Sequence, residues 1–211
     1  LMYAGILAGG AIAGTGLGLF AKSAAPGDEL ALSISIAATF GNIALVFFSL
    51  GASVALSQDL GKPLWWISAS PLRHRLYVWT LSTSWRSILV VAVASVAWSV
   101  TIANIRLAAI SLPLAAVAVL FVRSSGLILY AIFPSKIDQR GPVAMLRVLA
   151  CYVLMAPAVG LGIVTGLLAR SAGAGIGAAV ACAVVEAFGL IELSSLRIAS
   201  SGTGTARAEV V

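Results

Sequence analysis

The sequence predicts an all-α fold, a polytopic bundle of about six transmembrane helices with a short cytoplasmic amphipathic helix between the second and third. Three observations carry this expectation. Of the 211 residues, 61% are hydrophobic and only 9% charged, and the mean hydropathy is +1.08; ordinary soluble domains carry about 25% charged residues. Apolar runs long enough to cross a hydrocarbon core of about 30 Å, which takes about 20 residues, recur along the whole chain. The polar, aromatic and basic residues gather instead in one stretch, 57–86, which holds four of the five Trp, the only His and four of the 13 Lys and Arg.

The first candidate span, 1–20, carries Gly10, Gly14 and Gly18 at a spacing of four, which puts small residues on one helix face and lets a second helix approach closely in lipid. Leu1 is not an initiator residue, and no basic segment precedes the apolar run, so the chain reads as part of a longer protein with a preceding cytoplasmic segment. Pro26 and Gly27 break the chain before the second candidate, 30–56, in which Asn42 is a lone polar residue suited to an interhelical hydrogen bond. Four further candidates follow at 87–102, 107–133, 145–168 and 174–196. The fifth repeats the small-residue spacing at Gly162 and Gly166. In both helices, packing within the bundle accounts for the spacing, and contact with a second subunit is the other reading. Polar connections are expected at 134–144 and, as a flexible tail, at 198–211, so that the chain forms a single transmembrane domain with no room for a soluble one. Cys151 and Cys182 lie in apolar runs as small buried hydrophobes.

Orientation follows from the basic residues. If 57–86 is cytoplasmic, the inner side collects Lys62, Arg73, Arg75, Arg86, Lys136, Arg140, Arg147, Arg197 and Arg207, while the outer connections hold only Lys22, Arg106 and Arg170. That bias agrees with the positive-inside rule and places both ends of the chain in the cytoplasm. The net charge of +6 is scattered between apolar runs and forms no continuous patch, which argues against nucleic acid as a partner.

Within 57–86, Ser70 and Pro71 form a helix start, because Ser caps free N–H groups and Pro tolerates the first helical position. Leu72, Leu76 and Trp79 then share one face and Arg73, His74 and Arg75 crowd another, the pattern of a helix lying at the membrane surface with Trp65, Trp66, Tyr77 and Trp79 at headgroup depth. Taken on pattern alone this is an interfacial helix, or a docking helix for another protein.

The chain also contains Asp-Leu-x-x-Pro-Leu-Trp-Trp-x-Ser-x-x-Pro-Leu (Asp59, Leu60, Pro63, Leu64, Trp65, Trp66, Ser68, Pro71, Leu72) after one pair of spans and before four more, and Phe-Pro-Ser-Lys-Ile-Asp-Gln-Arg-Gly-Pro at 133–142. In these features it resembles the permease subunits of type-2 ABC exporters, particularly the bacterial putative ABC exporter group. The resemblance implies a permease of the bacterial inner membrane, working as a homo- or heterodimer, with Pro71, Leu72, Arg73, His74, Arg75 and Leu76 in a coupling helix that seats an ATP-binding cassette subunit. It also implies that ATP and Mg are handled by that partner. This chain carries no phosphate-cradling Gly-x-x-x-x-Gly-Lys-Ser/Thr loop, and one His with seven scattered carboxylates assembles no catalytic or metal-ligating constellation, so no enzyme activity and no cofactor are expected in it.

Arg123, Glu186 and Glu192 fall inside apolar segments, where an ionisable group costs several kcal/mol unless it pairs or meets water. Counted at 1.5 Å per residue from the outer ends, they lie about 24, 20 and 28 Å deep, so an ion pair between Arg123 and one Glu is expected. A structural lock between helices is one reading of that pair, and a substrate path or proton relay is the other. Two alternatives to the exporter stay open: an ion- or proton-coupled carrier using Glu186 and Glu192, and a membrane scaffold with no transport cycle.

Overall fold

The structure is a computed structural model and describes residues 2–24, 27–28, 31–32, 34–36, 55–56, 58–59, 70–133 and 142–200. Its long elements are all helices: α1 (Met2–Ala24), α2 (Leu72–Ile102), α3 (Ile105–Ile132), α4 (Pro142–Leu168) and α5 (Ala172–Ser200). Four of them, α2, α3, α5 and the part of α4 from Met145, are long and apolar enough to cross a membrane. Their large apolar side chains face outward in numbers no soluble protein tolerates: Met145, Leu167 and Leu168 on α4, Ile105 on α3 and Val185 and Leu196 on α5 are all exposed. Hydrocarbon is the solvent that suits such a surface.

The helices depart from the expected spans in one respect that matters. The surface helix predicted to start at Pro71 and the predicted span 87–102 are one continuous helix, α2, of 31 residues. No Gly or Pro interrupts 72–102, and the hydroxyls that lower hydropathy in its middle are satisfied inside the helix, Thr80 Oγ1 donating to Leu76 O (2.8 Å) and Ser82 Oγ to Trp79 O (3.1 Å). At 1.5 Å per residue α2 is about 46 Å long, about 15 Å more than a hydrocarbon core, and all its charged residues lie in the first half, so the excess projects at that end. The loop expected to end at residue 144 ends by residue 141, because α4 starts at Pro142, and α5 runs on to Ser200 before the tail. The second candidate span, 30–56, lies mostly outside the described residues.

Two connections are built alike. After α2, Asn104 N–H donates to Ser99 O (3.0 Å) and Ala103 N–H to Val100 O (3.1 Å), with Ala103 left-handed at φ 59°. After α4, Ser171 N–H donates to Gly166 O (3.1 Å) and Arg170 N–H to Leu167 O (3.3 Å), with Arg170 at φ 47°. Each is a Schellman stop whose left-handed position is usually Gly. The next residue starts the following helix at once: Asn104 Oδ1 accepts from Arg106 N–H (3.2 Å) and Ser171 Oγ from Ala174 N–H (3.3 Å). Turns this short, two residues between α2 and α3 and three between α4 and α5, force the paired helices to reverse direction.

The chain divides into two compact units. One holds α1, α2 from Thr83 and α3 to Val119. Here the stripe Gly10, Gly14 and Gly18 meets α2: a Cβ at Gly10 would come 2.8 Å from Val90 O, one at Gly18 2.7 Å from Thr101, and one at Gly14 would collide with the backbone of Ala94. The spacing thus serves packing within the chain.

The other unit holds α2 to Ser82, α3 from Leu120, α4 and α5. Every residue from Phe121 to Leu129 except Arg123 is buried, so this stretch of α3 is enclosed on all sides. Ser124, Ser125 and Gly126 sit in it without interrupting the helix. The α4–α5 pair closes on Gly162, Gly166, Gly175 and Ala179; a Cβ at Gly175 would stand 2.7 Å from Gly162 O.

Candidate functional site

The helix start at Ser70 and Pro71 is observed one residue later than expected: Arg75 N–H donates to Pro71 O (3.2 Å), and Leu72 is the first helical residue. The apolar face is the predicted one. Leu76 and Trp79 are buried with Leu56, Leu127, Ile191 and Ile198, and Leu72 packs at their edge. Trp79 Nε1 donates to Asp59 Oδ2 (2.8 Å), which ties the Asp59 end of the aromatic stretch to α2. Trp65 and Trp66 lie outside the described residues.

On the opposite face Arg73 and His74 are exposed. Arg75 is not: it is half-buried, with Nε and Nη1 covered from solvent, so the expected trio of exposed contacts is a pair. The reason is register, since Arg75 precedes Leu76 and Trp79 by one and four positions and is drawn toward their buried side.

Arg73 reaches α5. Its Nε donates to Glu192 Oε1 (2.7 Å), its Nη2 lies 2.6 Å from the same oxygen, and Tyr77 Oη donates to it as well (2.6 Å). The Arg73 guanidinium also sits 6.0 Å from the Tyr77 ring centroid, and Tyr77 packs on Phe188 with ring centroids 6.1 Å apart. Arg73 and Tyr77 are four apart on α2, and Phe188 and Glu192 four apart on α5, so one turn of each helix forms the contact. With side chains 65% and 33% accessible, this is a solvated pair at a helix end, whose value is orientation more than stability.

Of the two carboxylates expected as partners for Arg123, one is engaged by α2. Glu192 is engaged by Arg73 and Tyr77, and Glu186 has no hydrogen bond or ion pair among the described residues, its Oε2 being covered and unpartnered. Depth along a span fixes height but not direction around the helix, so similar depth does not by itself bring two side chains together. Asn42 lies outside the described residues.

Arg147 was counted above only as an inner-side charge. It is nonetheless buried, donating Nη2–H to Phe133 O (3.0 Å) with its guanidinium 5.8 Å from the Phe133 ring centroid. A cation on the last carbonyls of α3 satisfies acceptors that the helix leaves free and suits its dipole. Its position one turn into α4, after a Pro-containing connection, is the only signal the sequence holds for this role.

Among the described residues no cluster of three or more His, Cys, Asp or Glu side chains has metal-binding geometry. What the fold and this site define is a helical membrane protein in which the first turns of α2 are basic and tied to α5. No protein-family model, curated protein or solved structure matches the chain.

Proposed function

We propose that this chain is the membrane-spanning permease subunit of an ATP-driven, ABC-type exporter, working as a dimer of permease chains in a bacterial inner membrane, with ATP hydrolysis on a separate nucleotide-binding subunit. The observation that carries the reading is the first two turns of α2. They belong to the segment whose Asp59 to Leu72 motif resembles exporter permeases, they extend beyond the length a membrane needs, and they offer Arg73 and His74 outward while Leu76 and Trp79 hold them against α3 and α5. An acidic surface on the ATPase subunit suits that end. Because α2 is one continuous helix, a partner at its first turn binds the same element that forms the span, and through Glu192 it also reaches α5.

Co-purification tests this. The full chain, affinity-purified from its native membrane, is expected to bring down a nucleotide-binding subunit, and Arg73→Glu with His74→Glu to release it. A folded wild-type chain that binds no nucleotide-binding subunit contradicts the proposal. The carrier alternative rests on Glu186 alone, since Glu192 is held by Arg73 and Tyr77.

A further inference from the structure

We infer that Trp85 and Arg86 form a binding site for the head group of an anionic phospholipid, with the acyl chains of the same lipid lying along Leu89, Val96 and Val100. Of the three Trp on α2, Trp79 and Trp98 are buried, whereas Trp85 is exposed. Arg86 beside it is exposed as well, and its guanidinium lies 5.7 Å from the Trp85 ring centroid. A guanidinium over an indole gains a cation–π contact, and the stack restricts the plane of its N–H fork before any ligand arrives. That fork matches two oxygens of a phosphodiester.

The position along α2 suits a head group. Arg86 stands 16 residues before Ile102, the last residue of the helix, so about 24 Å separate it from the 103–104 turn. No charged residue lies between Arg86 and Arg106. The pair therefore marks the edge of a hydrocarbon core about 30 Å thick, on the membrane face opposite that turn. An indole is at home at such a boundary, its ring in apolar surroundings and its N–H wet.

The surface toward the turn suits acyl chains. Trp85, Leu89, Val96 and Val100 succeed one another at intervals of four, seven and four residues, which keeps them on one side of the helix, and all are exposed. Val90, Ala94 and Thr101, which meet Gly10, Gly14 and Gly18 of α1, lie about a third of a turn away around α2. The buried Ser95, Trp98 and Ser99 take the remaining side. All of these residues belong to the unit that holds α1 and α2 from Thr83. The choice of an anionic lipid follows from charge: the phosphate of a zwitterionic head group brings its own ammonium, and α2 carries only basic charges and no acidic residue.

The inference needs membrane character alone and does not depend on the exporter reading. The full chain, purified in a mild detergent, is titrated with phosphatidylglycerol and with phosphatidylcholine of the same acyl chains, and bound lipid is counted by native mass spectrometry. The wild-type chain is expected to retain phosphatidylglycerol in preference to phosphatidylcholine, and Arg86→Gln to lower that retention about fivefold, the effect of one cation at an anionic surface. Arg86→Lys, which keeps the charge but not the planar fork, should fall between the two. Arg106→Gln, beyond the turn, should hold the lipid as the wild type does, and glycerophosphoglycerol, the same head group without chains, should fail to displace it. Equal retention of the two lipids by the folded wild-type chain would overturn the inference. So would a folded Arg86→Gln chain that holds phosphatidylglycerol as well as the wild type, or displacement by the chain-free head group.

Discussion

At the scale of single residues, the two turns that reverse the chain carry a cost that can be removed. Ala103 and Arg170 occupy the left-handed region, which costs a residue with a Cβ about 1–2 kcal/mol and glycine little. Ala103→Gly is therefore expected to raise stability by about 1 kcal/mol in thermal unfolding in detergent, whereas glycine at Ala97, inside α2, should lower it by a similar amount. The Trp79 indole gives a second prediction. Trp79→Phe keeps most of the buried ring but removes the donor to Asp59, and a loss of about 1 kcal/mol is expected. The side chains around it were legible as a face, because Leu72, Leu76 and Trp79 repeat at helical spacing. Their partners were not: Glu192 lies 119 positions from Arg73, and no local pattern joins residues so far apart. The Tyr77 hydroxyl was legible in part, one turn after Arg73 on the same side of the helix.

At the scale of elements, the small-residue stripes and α2 teach opposite lessons. The spacing of Gly10, Gly14 and Gly18 announced a close approach, and the stripe does meet α2. Gly14→Val is expected to cost at least about 1–3 kcal/mol by overpacking against Ala94, while Gly16→Ala, where a Cβ meets nothing, should be neutral or gain up to about 1 kcal/mol. Comparing the two by thermal unfolding separates packing from helix propensity. The length of α2 was misread because hydropathy falls between Thr80 and Ser87. Hydropathy reports solvent preference, not helix continuity, and in that stretch no residue breaks a helix while the hydroxyls of Thr80 and Ser82 bond back to its carbonyls. The enclosed stretch of α3 was likewise hidden: buried and lipid-facing residues are both apolar, so periodicity cannot separate an enclosed helix from a peripheral one.

At the scale of the whole molecule, membrane character follows from composition and from the apolar outer surface of the helices, whereas the proposed function rests on the basic helix end and on the resemblance of its motif to exporter permeases. The Arg73–Glu192 contact makes a specific demand on that function. Glu192→Gln leaves Arg73 exposed for a docking partner yet weakens its hold on α5, so ATPase binding should persist while substrate-stimulated ATP hydrolysis falls. The most direct measurement is quantitative co-purification of a nucleotide-binding subunit with the full chain from its native membrane. The account predicts a stable complex that is lost when Arg73 and His74 are both changed to Glu and kept when exposed Arg106, in the first turn of α3, is changed to Glu. A correctly folded wild-type chain that binds no such protein, or a complex indifferent to Arg73 and His74, would contradict it.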